Sequence, residues 1–124
     1  MTTYYDNLQA EDRTPLIQKI KDFFTLWHRG KDKAVNLDEV VPIVAGKLSS
    51  SNKRRVRMAI EEAVDGGALI CSNSSDGYWY AESWREVDEA AGELESRASK
   101  LRERAKSLKE NAAREFGGQK GLFG

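Results

Sequence analysis

Residues 54–81 read RRVRMAIEEAVDGGALICSNSSDGYWYA, and this stretch decides the fold. Val56, Ala59, Ile60, Ala63 and Val64 recur at helical spacing and share one face, so its first part is an amphipathic helix. Gly66-Gly67 stops that helix, since glycine alone enters the left-handed backbone of a helix end without strain. Two short runs of strand formers follow, separated by Asn73 to Gly77, turn residues that end in Asp-Gly. That pattern predicts a β-hairpin.

Toward the N-terminus, Ser50, Ser51 or Asn52 would start this helix after the turn KLSS. NLDEVVPIVAGKL predicts a helix before it, with Asn36 and Glu39 as a capping box and Leu37, Val40, Val41 and Val44 as the buried face. Pro42 lies inside it and predicts a kink or a late start, and Gly46 suits its end. KAVN reads as a single short strand. TPLIQKIKDFFTLWHRG predicts the first helix, with Thr14 as N-cap and Pro15 in the first helical position. Leu16, Ile20, Phe23, Phe24 and Trp27 form its apolar stripe, and Gly30 ends it. Residues 1–13 are polar, and a flexible N-terminus is expected there.

Toward the C-terminus, no proline and only Gly92 interrupt the chain from Glu82 to Phe116. Leu94, Leu101 and Leu108 recur every seven residues, led by Val87, and Ala91, Ala98, Ala105 and Ala112 recur in phase with them. This is a heptad pattern with Ala at a and Val or Leu at d, the pattern of a long helix and coiled coil over 82–116. The e positions are Asp88, Glu95, Arg102 and Lys109, acidic early and basic late. An antiparallel pair sets Asp88 against Lys109 of the second copy and Glu95 against Arg102. A parallel pair sets Arg97 against Arg102 and Arg104 against Lys109, which like charges disfavour. Two readings stand: antiparallel self-association, as a dimer or higher, or a helix that folds back on its own domain or waits for another partner. The Gly-rich end, 117–124, reads as a flexible tail.

The fold class is therefore mainly α with a small β-hairpin. The element order over 14–81 is that of a winged helix-turn-helix, followed by a long C-terminal helix. That architecture offers its third helix to the major groove of duplex DNA. The third helix begins with four cations in five residues, Lys53, Arg54, Arg55 and Arg57, and no acid lies between Glu39 and Glu61. At 100° per residue, Ser51, Arg54, Arg55, Met58 and Glu61 point away from the apolar face, with Lys53 and Arg57 on the flanks. Arginine suits the paired acceptors of guanine, and a thioether such as Met58 can meet a thymine methyl. Lys53, Arg57 and Lys47 are placed for phosphates, and Asn52 and Ser51 sit at the helix N-terminus, which itself favours a phosphate. The plainer reading is a solvated cationic face. The wing tip SNSSDG carries no Lys or Arg, and reads as a structural turn sooner than a groove contact.

The whole chain has 124 residues, with 20 Lys+Arg against 20 Asp+Glu, so any attraction to phosphate rests on how charge is distributed. Mean hydropathy is −0.65, polar enough to fit a long exposed helix. Cys71 is the single cysteine, so no internal disulfide forms and a reducing compartment is expected. With no secretory signal pattern and no apolar run of membrane-spanning length, the expectation is a cytoplasmic protein without membrane partners.

The stretch quoted first resembles the recognition helix and wing of small phage and bacterial winged-helix proteins, with the biotin-ligase repressor domain as a distant relative. The resemblance covers roughly residues 15–82, and its most specific part is the helix, the Gly-Gly stop, the apolar strand and GYW in that order. It implies duplex DNA binding, in transcriptional control or in support of phage DNA replication, in the cytoplasm of a bacterial host if the protein is phage-encoded. The tail QKGLF resembles the peptide by which bacterial replication and repair proteins bind the sliding clamp. Gln119, Leu122 and Phe123 match it, while Lys120 and Gly121 depart from it. The alternative to a DNA binder is a protein-interaction adaptor that docks through the winged domain and assembles through the helix. One histidine and one cysteine at unrelated positions supply no metal cluster, and no phosphate loop or triad spacing is present. No enzyme activity, metal or cofactor is expected.

Overall fold

The structure, a computed structural model, describes the backbone from Thr2 to Gly117 and the side chains from Arg13 to Gly117. It is mainly helical with one two-stranded antiparallel hairpin. In chain order the elements are α1 (Thr2–Trp27), a 3-10 turn (Lys31–Lys33), α2 (Leu37–Ala45), α3 (Ser50–Asp65), β1 (Ile70–Asn73), β2 (Gly77–Tyr80) and α4 (Trp84–Phe116). The chain forms two units, residues 1–90 and residues 91–124. The first unit takes in the opening two turns of α4, so its boundary falls beyond the one expected at Ala81.

Periodicity placed most of the core. Leu16, Ile20 and Phe24 of α1 meet Val40, Val41 and Val44 of α2 and Val56, Ala59, Ile60 and Ala63 of α3 in one buried cluster. Phe24 is fully buried, and truncating it to alanine would cost about 3–5 kcal/mol. A second cluster joins Cys71, Trp79, Ala81 and Ala90, with Ala34 and Val87 packed against it.

The caps follow sequence closely. Asn36 Oδ1 accepts from the Glu39 N–H at 3.1 Å, and Gly46 ends α2 in the left-handed conformation at φ 85°. Pro42 remains inside α2, which starts on time at Leu37. The missing proline N–H deprives only the Asp38 carbonyl, and both residues are exposed, so water can satisfy it.

Several expectations need correction. The first helix does not begin at Thr14: helical backbone runs from Thr2, and Pro15 is an interior residue of it. Good helix formers such as Leu8, Gln9, Ala10 and Glu11 explain the extension, which outweighs one lost hydrogen bond. Trp27, the last residue of α1, is not core but 68% exposed, and it is His28 just beyond it that packs against Phe23, ring centroids 4.6 Å apart. Val64 is likewise exposed, lying one residue past the packed face of α3. The N-cap of α3 is Ser49, whose Oγ accepts from the Asn52 N–H at 3.1 Å. KAVN contributes one bridging residue rather than a strand: Val35 exchanges two backbone hydrogen bonds with Tyr78, both 2.8 Å.

Candidate nucleic-acid interface

The amphipathic pattern of α3 sets its position. Val56, Ala59, Ile60 and Ala63 hold one face against α1 and α2, so the opposite face near the helix N-terminus is left to solvent. Arg54, Arg57 and Ser51 are exposed there, while Arg55, Met58, Asn52 and Lys53 are half-buried. Arg54 and Arg57 are three residues apart and therefore neighbours on the helix surface.

The cations divide into engaged and free. Lys53 Nζ lies 3.0 Å from Asp38 Oδ1 of α2. Arg55 Nη1 donates to Asn52 Oδ1 at 3.2 Å, and Asn52 Nδ2 donates to the Lys47 carbonyl at 2.8 Å. Asn52 is thus a strut between the turn and the second turn of α3, with both ends of its amide occupied. Arg55 also lines a surface pocket with Pro15, Leu16, Lys19 and Ile43, on the side facing α1. It does not share the outward face with Arg54, as the sequence suggested, because 100° steps turn it toward the flank that carries Glu62. Glu62 itself pairs with Arg13, Oε1 to Nε 2.9 Å. Lys47, Arg54 and Arg57 have no acidic partner among the described residues. Arg54 and Arg57, with Ser51 and half-buried Met58 on the same helix, face solvent, and Lys47 is exposed in the turn before it.

The wing tip is self-satisfied. Asn73 Oδ1 accepts from the N–H groups of Ser75 and Asp76, and Asn73 Nδ2 donates to Asp76 Oδ2 at 2.7 Å. Asp76 is 3.9 Å from Lys31 Nζ, so the one charge on the tip is paired with a cation from the segment after α1. This chemistry builds a turn.

Sequence reasoning missed the residue that ties the wing to α4. Glu86 Oε1 accepts from the Trp79 indole at 2.9 Å and from the Glu82 N–H at 3.1 Å, and Oε2 accepts from the Lys31 N–H at 3.4 Å. The signal was there: Ser83-Trp84-Arg85-Glu86 has capping-box spacing, and the Ser83 Oγ accepts from the Glu86 N–H at 3.3 Å. Glu86 then reaches outward to the wing instead of back to Ser83.

In α4, Val87 is half-buried and packs on one side against Trp79, Ala81 and Ala90 inside the first unit. Leu94, Leu101 and Leu108 are exposed, Ala98 and Ala105 are exposed with them, and Ala91 and Ala112 are half-covered. Gln119, Leu122 and Phe123 lie outside the described residues. No helix among the described residues is long and apolar enough to cross a membrane, and no three His, Cys, Asp or Glu side chains among them gather as a metal site. Comparison with protein-family models, with curated proteins and with solved structures finds no match to this chain.

Proposed function

We propose that this protein binds duplex DNA through α3 and works as a pair joined by the heptad face of α4. The observation that carries the first half is that Arg54 and Arg57, exposed on the first turns of the one helix this architecture offers to the major groove, and Lys47 in the turn before it have no acidic partner among the described residues. In this reading Lys47 and Arg57 contact phosphates, while Arg54 and Met58 reach base edges. Arg55 and Asn52 hold the turn in shape. The exposed leucines of α4 support the second half, since an apolar stripe of that length in solvent lacks its cover. Two copies would present two copies of α3, which multiplies a modest single-site affinity. Transcriptional control or support of replication are the roles that the winged-helix resemblance implies.

Fluorescence anisotropy with a labelled mixed-sequence duplex tests the DNA reading. Affinity should fall steeply from low to moderate salt, with a slope set by the phosphates contacted. No binding at low salt would leave the adaptor reading in its place.

A further inference from the structure

Beyond the seam itself, α4 carries two exposed aromatic residues that the heptad leucines do not explain. Trp84, at its first turn, is 77% exposed, and Phe116, at its last, is 57% exposed. Trp84 lies seven residues before Ala91 and so leads the series of a positions. Beside it is an apolar pocket of about 350 Å³ lined by Leu69, Ala81, Glu82, Ser83, Trp84 and Val87. The pocket is lined by the first a and d residues of the same heptad series.

An antiparallel pair of such helices has one register that satisfies three independent features. In antiparallel packing an a residue shares its layer with a d residue of the other helix. Placing Ala98 opposite Leu101 of the second copy also places Ala91 opposite Leu108 and Ala105 opposite Leu94. Each of these layers then fits a small side chain against a large one, whereas a parallel pair stacks Ala on Ala and Leu on Leu in turn. The same register brings Asp88 to Lys109 and Glu95 to Arg102. Arg97 and Arg104 approach on the other flank, but the attractive pairs outnumber them two to one. Shifting by one heptad sets Glu95 against Glu95 or Arg102 against Arg102. Finally, Trp84 and Phe116 sit within one residue of equal distances from the centre of this register, so Phe116, at the e position beside the last layer, arrives next to Trp84 of the other helix.

Resting on the self-association reading, we infer that α4 pairs antiparallel with a second copy about a centre between Ala98 and Leu101, and that Phe116 of each copy closes the pocket beside Trp84 of the other. The pair is thus locked at both ends by an aromatic contact, with the small–large seam between them.

Sedimentation equilibrium on the full chain tests this, with circular dichroism as a check that helix content is kept. Phe116→Ala and Trp84→Ala should each weaken the pair by about tenfold or more, since buried aromatic anchors dominate such interfaces. The double variant should lose no more than the worse single, because both remove one contact. In parallel, Glu95→Cys and Arg102→Cys chains, mixed and oxidised, should crosslink to each other in preference to themselves. A wild-type chain that stays monomeric overturns self-association altogether. A dimer indifferent to Phe116, a double variant with additive losses, or any other crosslinking pattern overturns this register and leaves the self-association reading standing.

Discussion

The carboxylate of Glu86 is the hydrogen-bond acceptor of the Trp79 indole, at 2.9 Å, and Trp79 is 1% exposed. One oxygen of an α4 residue therefore satisfies the one polar atom of the largest buried side chain, on the wing. Glu86→Ala would leave a buried N–H unpaired and remove two backbone ties. A loss of about 1–3 kcal/mol is expected in urea denaturation followed by tryptophan fluorescence. Glu86→Gln retains an acceptor and should recover much of it; equal losses for both variants would show that charge, not hydrogen bonding, is what matters.

On α3, function and stability should separate by residue. Arg54→Ala and Arg57→Ala are each expected to weaken duplex binding and to lower the slope of log affinity against log salt by about 1 where a phosphate contact is lost. Their melting temperatures should match wild type, since both side chains are exposed and neither has an acidic partner among the described residues. Asn52→Ala should do the reverse, lowering stability by about 1 kcal/mol through the lost strut between Lys47 and Arg55. Thermal melts and anisotropy on the same preparations decide it.

Gly77 has φ 104°, and a Cβ there would collide with the Val35 carbonyl. Both the backbone and the neighbouring chain forbid a side chain. Gly77→Ala should destabilise by about 2 kcal/mol or more, whereas Gly92→Ala, on an open helix surface, should be neutral to mildly stabilising. Urea midpoints for the two variants give the comparison.

Helix orientation in the α4 pair has a signature in charge. Arg102→Glu with Lys109→Glu places acid against Glu95 and Asp88 in the antiparallel arrangement, and the chain should become monomeric in light scattering. In a parallel pair the same substitutions would set Arg97 and Arg104 against glutamates and tighten it. The two arrangements thus predict opposite signs.

Cys71 is buried, and desolvation, with a smaller contribution from the charge of Glu86, raises its thiol pKa above the ordinary 9.0. The folded protein therefore holds this proton more tightly than the unfolded chain. Stability from this group is complete below pH 9 and declines as pH rises from the unfolded value toward the raised folded one. Native protein should resist alkylation by iodoacetamide at pH 8, and urea-unfolded protein should react promptly. Fast labelling of the native state would contradict the burial.

The helices, the hairpin and most of the core were legible because each rests on a local period. Val56, Ile60 and Ala63 are buried because they repeat every three to four residues, and Asp76-Gly77 turns the chain because glycine permits it. What the sequence concealed depended on where neighbours end. Trp27 fits the stripe of Leu16 and Phe24, yet the chain folds His28 onto Phe23 and leaves the indole outside. Arg54 and Arg55 look equivalent in sequence, but one helical step turns Arg55 toward Asn52 and α1. Glu86 was hidden for a related reason: its capping-box spacing was visible, but its partner lies on a strand whose position only the fold supplies.

The backbone exchange between Val35 and Tyr78 has a consequence for colloidal behaviour. With Tyr80 bonded to His28 and Gly30 as well, β2 is covered along both sides, by β1 and by the segment after α1. In an antiparallel ladder the outward-facing peptide groups alternate, which leaves only those of Ile70 and Ser72 on the far side of β1. Such a remnant is too short to template strand-on-strand growth, so this hairpin resists amyloid-like stacking without needing charged gatekeepers along its rim.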